Sequence, residues 1–282
     1  MRYLDVGYIL RVHRMLFRIR RKKRGNSRVI CVLGMHRSGT SLLSALLGMC
    51  GVYIGESDEM YPPGKGNPKG HWEHMVAKKI NEDILGKFKG SGDNPPYLPP
   101  NWYRSRDMAP VKKRARMFIR DMESKSAIWA WKDPRTTLTV EFWKEIVDTI
   151  NYVIMLRDPL AVAMSLQKRD GLQIQDGLKL CAIYWLSILH HTKGEKRIFV
   201  KYDDLVNKGK EELSRVVNFI DNSMVSIESS LHEIEDFIDM KLNHNPRSDS
   251  AFANLNVTNE TDVERYIVVE CQKIIGKKCK MP

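Results

Sequence analysis

Residues 28–41 read RVICVLGMHRSGTS. The first half, 28–34, is short, apolar and rich in β-branched residues, the pattern of a strand buried on both faces. The second half places glycines at 34 and 39, spaced G-x4-G-T-S. The run SLLSALLGMCG, 41–51, then repeats its apolar residues at helical spacing and stops at Gly51. Strand, glycine loop and helix in that order make an anion cradle. The glycines let the backbone curl so that successive N–H groups point inward, and the helix adds the positive end of its dipole. Gly34, His36, Arg37, Ser38, Gly39, Thr40 and Ser41 are the candidate residues of the cradle, with hydroxyl donors at 38, 40 and 41. One position departs from a nucleotide-triphosphate loop: Thr40 stands where G-x4-G-K-[S/T] has its lysine. Arg37 offers the cation instead.

Outward from this loop the same alternation recurs. IWAWK (128–132), YVIMLR (152–157) and RIFVKY (197–202) are strand candidates. Helical patterns at 73–88, 104–126, 138–148, from Pro159, and at 173–193 lie between them. Beyond Asp203 the chain reads helical to about 241, with a last helix near 259–275. The stretches 55–72 and 91–101 are rich in Gly and Pro and read as loops. Strands alternating with helices predict an α/β fold: a P-loop-like parallel sheet flanked by helices. Ligands of such sheets bind at the carboxyl ends of the strands. Four polar clusters, HRSGTS, KDPR, RDP and KYDD, fall at the four predicted ends.

The chain has 282 residues, 43% hydrophobic and 28% charged, and no apolar run near the roughly 20 residues of a spanning helix. Five cysteines without a C-x-x-C pair favour neither a disulfide framework nor a zinc site. The net charge of +12 is uneven. Residues 1–25 carry nine Lys or Arg against Asp5, a net +8, which leaves +4 over residues 26–282. The body is therefore only mildly basic, which argues against a nucleic-acid partner. Within 1–25, Ile9, Val12, Leu16 and Ile19 recur on one helical face and Arg11, Arg14, Arg18 and Arg21 on another. This predicts a basic amphipathic helix suited either to an anionic membrane surface or to packing on protein. The arginines interrupt what would be the apolar stretch of a secretory signal. The expected organisation is 1–25 as that helix and 26–282 as the α/β domain, with acceptor-side insertions at 55–127 and a helical part at 206–282. The expected location is cytoplasmic, with peripheral attachment to a membrane through residues 1–25.

The motifs resemble those of the sulfotransferase family, which uses 3′-phosphoadenosine 5′-phosphosulfate (PAPS). GMHRSGTS is similar to the family's 5′-phosphosulfate loop. NPKGHWEH (67–74) resembles the NP-x-G-aromatic-E segment of bacterial members, and WKDPR (131–135) the KDP segment. RDPLAVAMS (157–165) matches the 3′-phosphate motif R-x7-S, and KYDDL (201–205) resembles the Y-E-D-L strand end. The resemblance covers residues 29–205 in the family's order.

It implies transfer of a sulfuryl group to a hydroxyl of a glycan, a lipid-linked glycan or a small molecule, with no metal. Arg157 and Ser165 would grip the 3′-phosphate. Lys132 and Arg37 would stabilise charge on the sulfuryl group and leaving phosphate, and Tyr202 would contact adenine. Glu73 is the candidate general base, with Asp133, His36, His71 and His74 as rivals. Glu73 at a helix start would also complement the helix dipole. Two other readings stay open: a P-loop kinase or NTPase using ATP and Mg²⁺, and a non-enzymatic peripheral membrane-binding protein. EDTA sensitivity separates the first, and binding retained by residues 1–25 alone separates the second.

Overall fold

The computed structural model describes residues 27–64, 70–221, 234, 237–238 and 252–276. The expected helix at 1–25, residues 67–69 of the NPKGHWEH segment and most of 222–251 lie outside the described residues. Four strands form one parallel sheet: β1 (Arg28–Leu33), β2 (Ile128–Lys132), β3 (Asn151–Leu156) and β4 (Arg197–Lys201). Their order is β2-β1-β3-β4, with Ile30 opposite Ala130 on one side and Asn151 on the other. The chain leaves β1 to one side for β2 and then crosses to the other side for β3. The switch point therefore lies between β1 and β3, and at such a point the connecting loops diverge and leave a crevice above the strand ends.

Alternation along the strands builds two cores, because successive side chains point to opposite faces. Ile30 and Val32 of β1 pack with Val153, Met155 and Val200 beneath α1 (Thr40–Met49) and α8 (Gly209–Ile220). Val29, Cys31 and Leu33 pack with Trp129, Trp131, Ile154 and Phe199 on the other face. That face is covered by α2 (Met75–Lys87), α3 (Ala109–Lys125), α4 (Thr136–Lys144), α5 (Pro159–Asp170), α6 (Ile174–Thr192) and α9 (Glu260–Ile275). The short α7 (Tyr202–Asn207) follows β4 directly. Among the described residues no helix is long and apolar enough to cross a membrane.

Element boundaries moved for local reasons. The expected helix at 104–126 begins only at Ala109, where Pro110 occupies the first turn, a position at which no amide hydrogen is needed. Two 3₁₀ turns, Trp102–Arg104 and Arg106–Met108, lead into it. Glu73 does not begin α2. His74 caps that helix, its Nδ1 accepting from the Val76 amide at 3.3 Å, so Glu73 is released from the expected capping role and points elsewhere.

Candidate active site

The loop after β1 is held in shape by its own polar groups. Gly39 caps α1 with φ 98°, and a Cβ there would run into the Tyr202 ring, so only glycine fits. No side chain caps α1, so its N-terminus is left to face the crevice with the positive end of the dipole. Gly34 donates its amide to Thr137 Oγ1 at 3.3 Å, anchoring the loop to α4. Ser38 is turned inward: its hydroxyl donates to the Met35 carbonyl at 2.6 Å, so it is not the outward donor the motif suggested. Arg37 sits in the left-handed region at φ 66°, a conformation that costs a non-glycine residue energy and recurs at functional sites. Trp72, buried beside Glu73 in sequence, also has a left-handed φ of 55°.

Two clusters of cations flank the loop. In the first, Arg37 Nε donates to Ser165 Oγ at 3.0 Å, and Arg157 Nη1 donates to the Arg37 carbonyl at 2.9 Å. The Arg157 guanidinium lies 4.2 Å from the centroid of the Tyr202 ring. Tyr202 thus supports Arg157 on a ring face and meets Gly39 at a ring edge. Burial and the neighbouring guanidiniums of Arg169 and Arg157 lower the pKa of Arg37, the signature of cations gathered without enough local anions. Arg169 lies one helical turn beyond Ser165 on α5. Asp158, beside Arg157 in sequence, is committed to capping α5, accepting from the Leu160 and Ala161 amides at 2.8 and 3.1 Å.

The second cluster centres on Lys132, which is 2% exposed. Its ammonium donates to Ser41 Oγ at 3.2 Å, to the His71 carbonyl at 2.5 Å and to Glu73 Oε1 at 3.0 Å. Burial alone would raise the pKa of Glu73, but Lys132 and Arg135 hold its carboxyl below the usual range. Glu73 is therefore an ion-paired carboxylate and a weak base in this arrangement. Asp133 faces away from the cleft, fully buried. It accepts from Asn81 at 2.8 Å and from Arg135 Nη1 at 2.9 Å, so it orients Arg135 and not Lys132. Its pKa is raised to about 6 by burial.

A cleft of about 420 Å³ opens above these groups. Arg37, Thr40, Ser41, His71, Glu73, Lys132 and Arg135 line it together, from segments up to a hundred residues apart. Arg157, Ser165 and Tyr202 stand behind Arg37 and not on the cleft wall. Of the three histidines weighed as bases, His71 and His36 line the cleft. His74 lies beneath it against Phe118 and Glu59. His36 is pushed down to about 4 by burial, and His71 is also lowered by burial, so both rings are neutral at pH 7.

Sequence reasoning missed several lining residues. Tyr61, Lys78, Glu82, Arg169 and the segment Gly90–Asp93 all face the cleft. Arg169 had a signal, the i, i+4 spacing from Ser165. Tyr184 of α6 had none. Its hydroxyl lies 3.0 Å from His36 Nε2 and donates to the Gly92 carbonyl at 3.0 Å, tying the glycine loop to the opposite wall. Trp72, Trp102, Trp129 and Trp131 are all buried in the cores, while Tyr97 is 79% exposed and lies off the cleft wall.

Residues 29–225 match the family model described as "Sulfotransferase family". Among curated proteins no match is found. Three solved structures are similar. The sulfotransferase domain of the Synechococcus PCC 7002 olefin synthase is 14% identical, covering 93% of this chain and 99% of that one, with a TM-score of 0.48. The sulfotransferase domain from the curacin biosynthetic pathway is 15% identical, covering 92% and 100%, with a TM-score of 0.44. Sulfotransferase STF9 from Mycobacterium avium is 15% identical, covering 96% and 79%, with a TM-score of 0.45.

Proposed function

Since the chain belongs to the sulfotransferase family, we propose that it moves a sulfuryl group from PAPS to a hydroxyl of a polar acceptor. The donor supplies an activated sulfuryl group on a phosphate leaving group. The observation that carries the reading is the gathering of Arg157 and Ser165 on Arg37, each hydrogen-bonded to it, at the β1–β3 switch point, with Lys132 on the far side of the same loop. The two ends of a bisphosphorylated adenosine call for two such cation clusters.

In this reading Arg157 and Ser165 hold the 3′-phosphate, which ATP lacks. The N-terminus of α1 and Thr40 hold the 5′-phosphate. Lys132 turns from Glu73 toward the charge that grows on the bridging oxygen, a contact of the kind worth about 3–4 kcal/mol. Arg37 donates to Ser165 through Nε, and its Nη donors face the leaving phosphate. His71 and Glu73 are the two bases at the acceptor side. Neutral His71 can take the acceptor's proton, and Glu73 is its rival once Lys132 turns away. The acceptor wall of Tyr61, Lys78, Glu82 and Arg135 is polar and charged, which suits a hydroxylated glycan or a polar small molecule better than an apolar alcohol. Attachment to an anionic membrane through residues 1–25 belongs to the same proposal and is tested by deleting them.

The decisive experiment is a thermal-shift comparison of 3′-phosphoadenosine 5′-phosphate (PAP), ADP and ATP. Selective stabilisation by PAP, together with turnover of PAPS in EDTA, is the expected result. Stabilisation by ATP with Mg²⁺ and none by PAP would return the chain to the kinase reading.

A further inference from the structure

Far from the cleft, at the opposite end of the sheet, α4 and the last turn of α6 bring three metal-ligating side chains together. Glu141 of α4 is half-buried, His191 of α6 is half-buried and His190 is exposed. Their ligand atoms all lie within 4.8 Å of one another. The two imidazole rings meet edge to face, with centroids 4.8 Å apart.

We propose that Glu141, His190 and His191 form a zinc(II) site that clips α4 to the end of α6. Two imidazoles and one carboxylate are a borderline donor set, which suits Zn²⁺ and not the hard, all-oxygen preference of Mg²⁺. Around a tetrahedral zinc, ligand atoms stand about 3.3 Å apart. Binding would draw the three ligand atoms in from their present spread of up to 4.8 Å, with the exposed His190 side chain free to turn and solvent as the fourth ligand.

The surroundings permit a cation. Lys144 lies beside the cluster. It donates to the His191 carbonyl at 3.4 Å and its charge is balanced by an ion pair with Glu195. Near their other ends the same two helices carry cleft contacts: α4 holds Thr137 against Gly34, and α6 holds Tyr184 against Gly92. A metal that fixes α4 to α6 therefore stiffens both supports of the glycine loop. The proposal stands apart from sulfuryl transfer and uses none of its residues.

The test is calorimetric titration of the full chain with ZnCl₂, with MgCl₂ alongside, in the wild type and in Glu141→Gln and His190→Asn. Binding of one zinc, a rise in Tm of roughly 5 °C near 100 times Kd, and at least tenfold weaker binding in each variant are expected. X-ray absorption should show nitrogen and oxygen ligands without sulfur. Absence of zinc binding, wild-type affinity in either variant, or sulfur in the ligand shell would overturn the site.

Discussion

Arg157 holds Arg37 by its backbone: Nη1 of the first donates to the carbonyl oxygen of the second at 2.9 Å. The bond explains why Arg37 tolerates a left-handed φ of 66°, since that conformation aims its carbonyl at the guanidinium. It also joins the ends of β1 and β3, the two strands that bracket the switch point. One arginine thus shapes the loop that carries the other.

Replacing Arg157 should therefore do two things. Arg157→Ala is expected to raise the KM for PAPS by about 10- to 100-fold, the range for a lost charge-assisted hydrogen bond, and to abolish the Tm shift with PAP. It should also lower kcat, because the Arg37 loop loses its tether. Arg157→Lys keeps the charge but not the fork, and should recover less than half of the loss in binding energy. Steady-state kinetics with varied PAPS check both effects, and an unchanged KM would remove Arg157 from the donor site.

Lys132 and Glu73 form a buried pair, 2% and 6% exposed. Removing one partner strands the other charge, which typically costs about 3–5 kcal/mol. Lys132→Met should thus lower both stability and kcat. The double variant Lys132→Met/Glu73→Gln should regain most of the stability while kcat stays down by about 10²–10³. Urea denaturation beside kinetics separates the two roles. Recovery of kcat with stability would make Lys132 purely structural.

The parts legible in sequence were those encoded locally. The strand RVICVL, the glycines at 34 and 39 and the R-x7-S spacing each specify their geometry within a few residues, and the parallel sheet followed from their alternation. What was not legible depends on the direction of side chains across long separations. Ser38 looks like a loop donor until the Met35 carbonyl takes its proton. Asp133 and Lys132 are neighbours in sequence yet point to opposite sides, because they fall at the end of a strand where successive side chains alternate. Nothing near Tyr202 in the sequence shows that Arg157 lies over its ring. Partners of the Tyr184 kind, tied to residues 92 and 148 positions away, leave no mark in a single sequence.

Stability should depend on pH through His36. Burial pushes its pKa down to about 4, against about 6.5 unfolded. Between these values the folded state binds fewer protons than the unfolded one. The contribution is therefore complete above pH 6.5 and is lost as pH falls toward 4. At pH 5 the loss amounts to about 2 kcal/mol. Asp133, raised to about 6, acts in the opposite sense, losing stability as pH rises from about 3.8 to 6, so the whole-protein curve is flatter than either alone. The His36→Gln variant isolates the histidine. Relative to it, the wild type should lose about 2 kcal/mol between pH 7 and pH 5 in urea denaturation, and parallel curves would show that His36 takes up its proton as readily in the fold as in the unfolded chain.

Tyr184 should influence acceptor binding without touching it. Its hydroxyl reaches both His36 on the glycine loop and the Gly92 carbonyl on the opposite wall, each at 3.0 Å. A Cβ at Gly92 would stand 2.8 Å from His36 Nε2, so this wall packs directly on the loop. Tyr184→Phe keeps the ring in its fully buried place and removes only the tether, at a stability cost of about 1–2 kcal/mol for an unpaired buried group. The wall of Gly90–Asp93 is then free to shift, while the Arg157 and Ser165 side of the donor site is unchanged. The acceptor KM is expected to rise several-fold more than the PAPS KM. Gly92→Ala, which pushes the same wall off His36 without breaking the hydroxyl's bond to the chain, should reproduce that bias. If instead both KM values rise together in Tyr184→Phe, the tyrosine acts through general loosening of α6, and the loop and wall are not coupled through its hydroxyl.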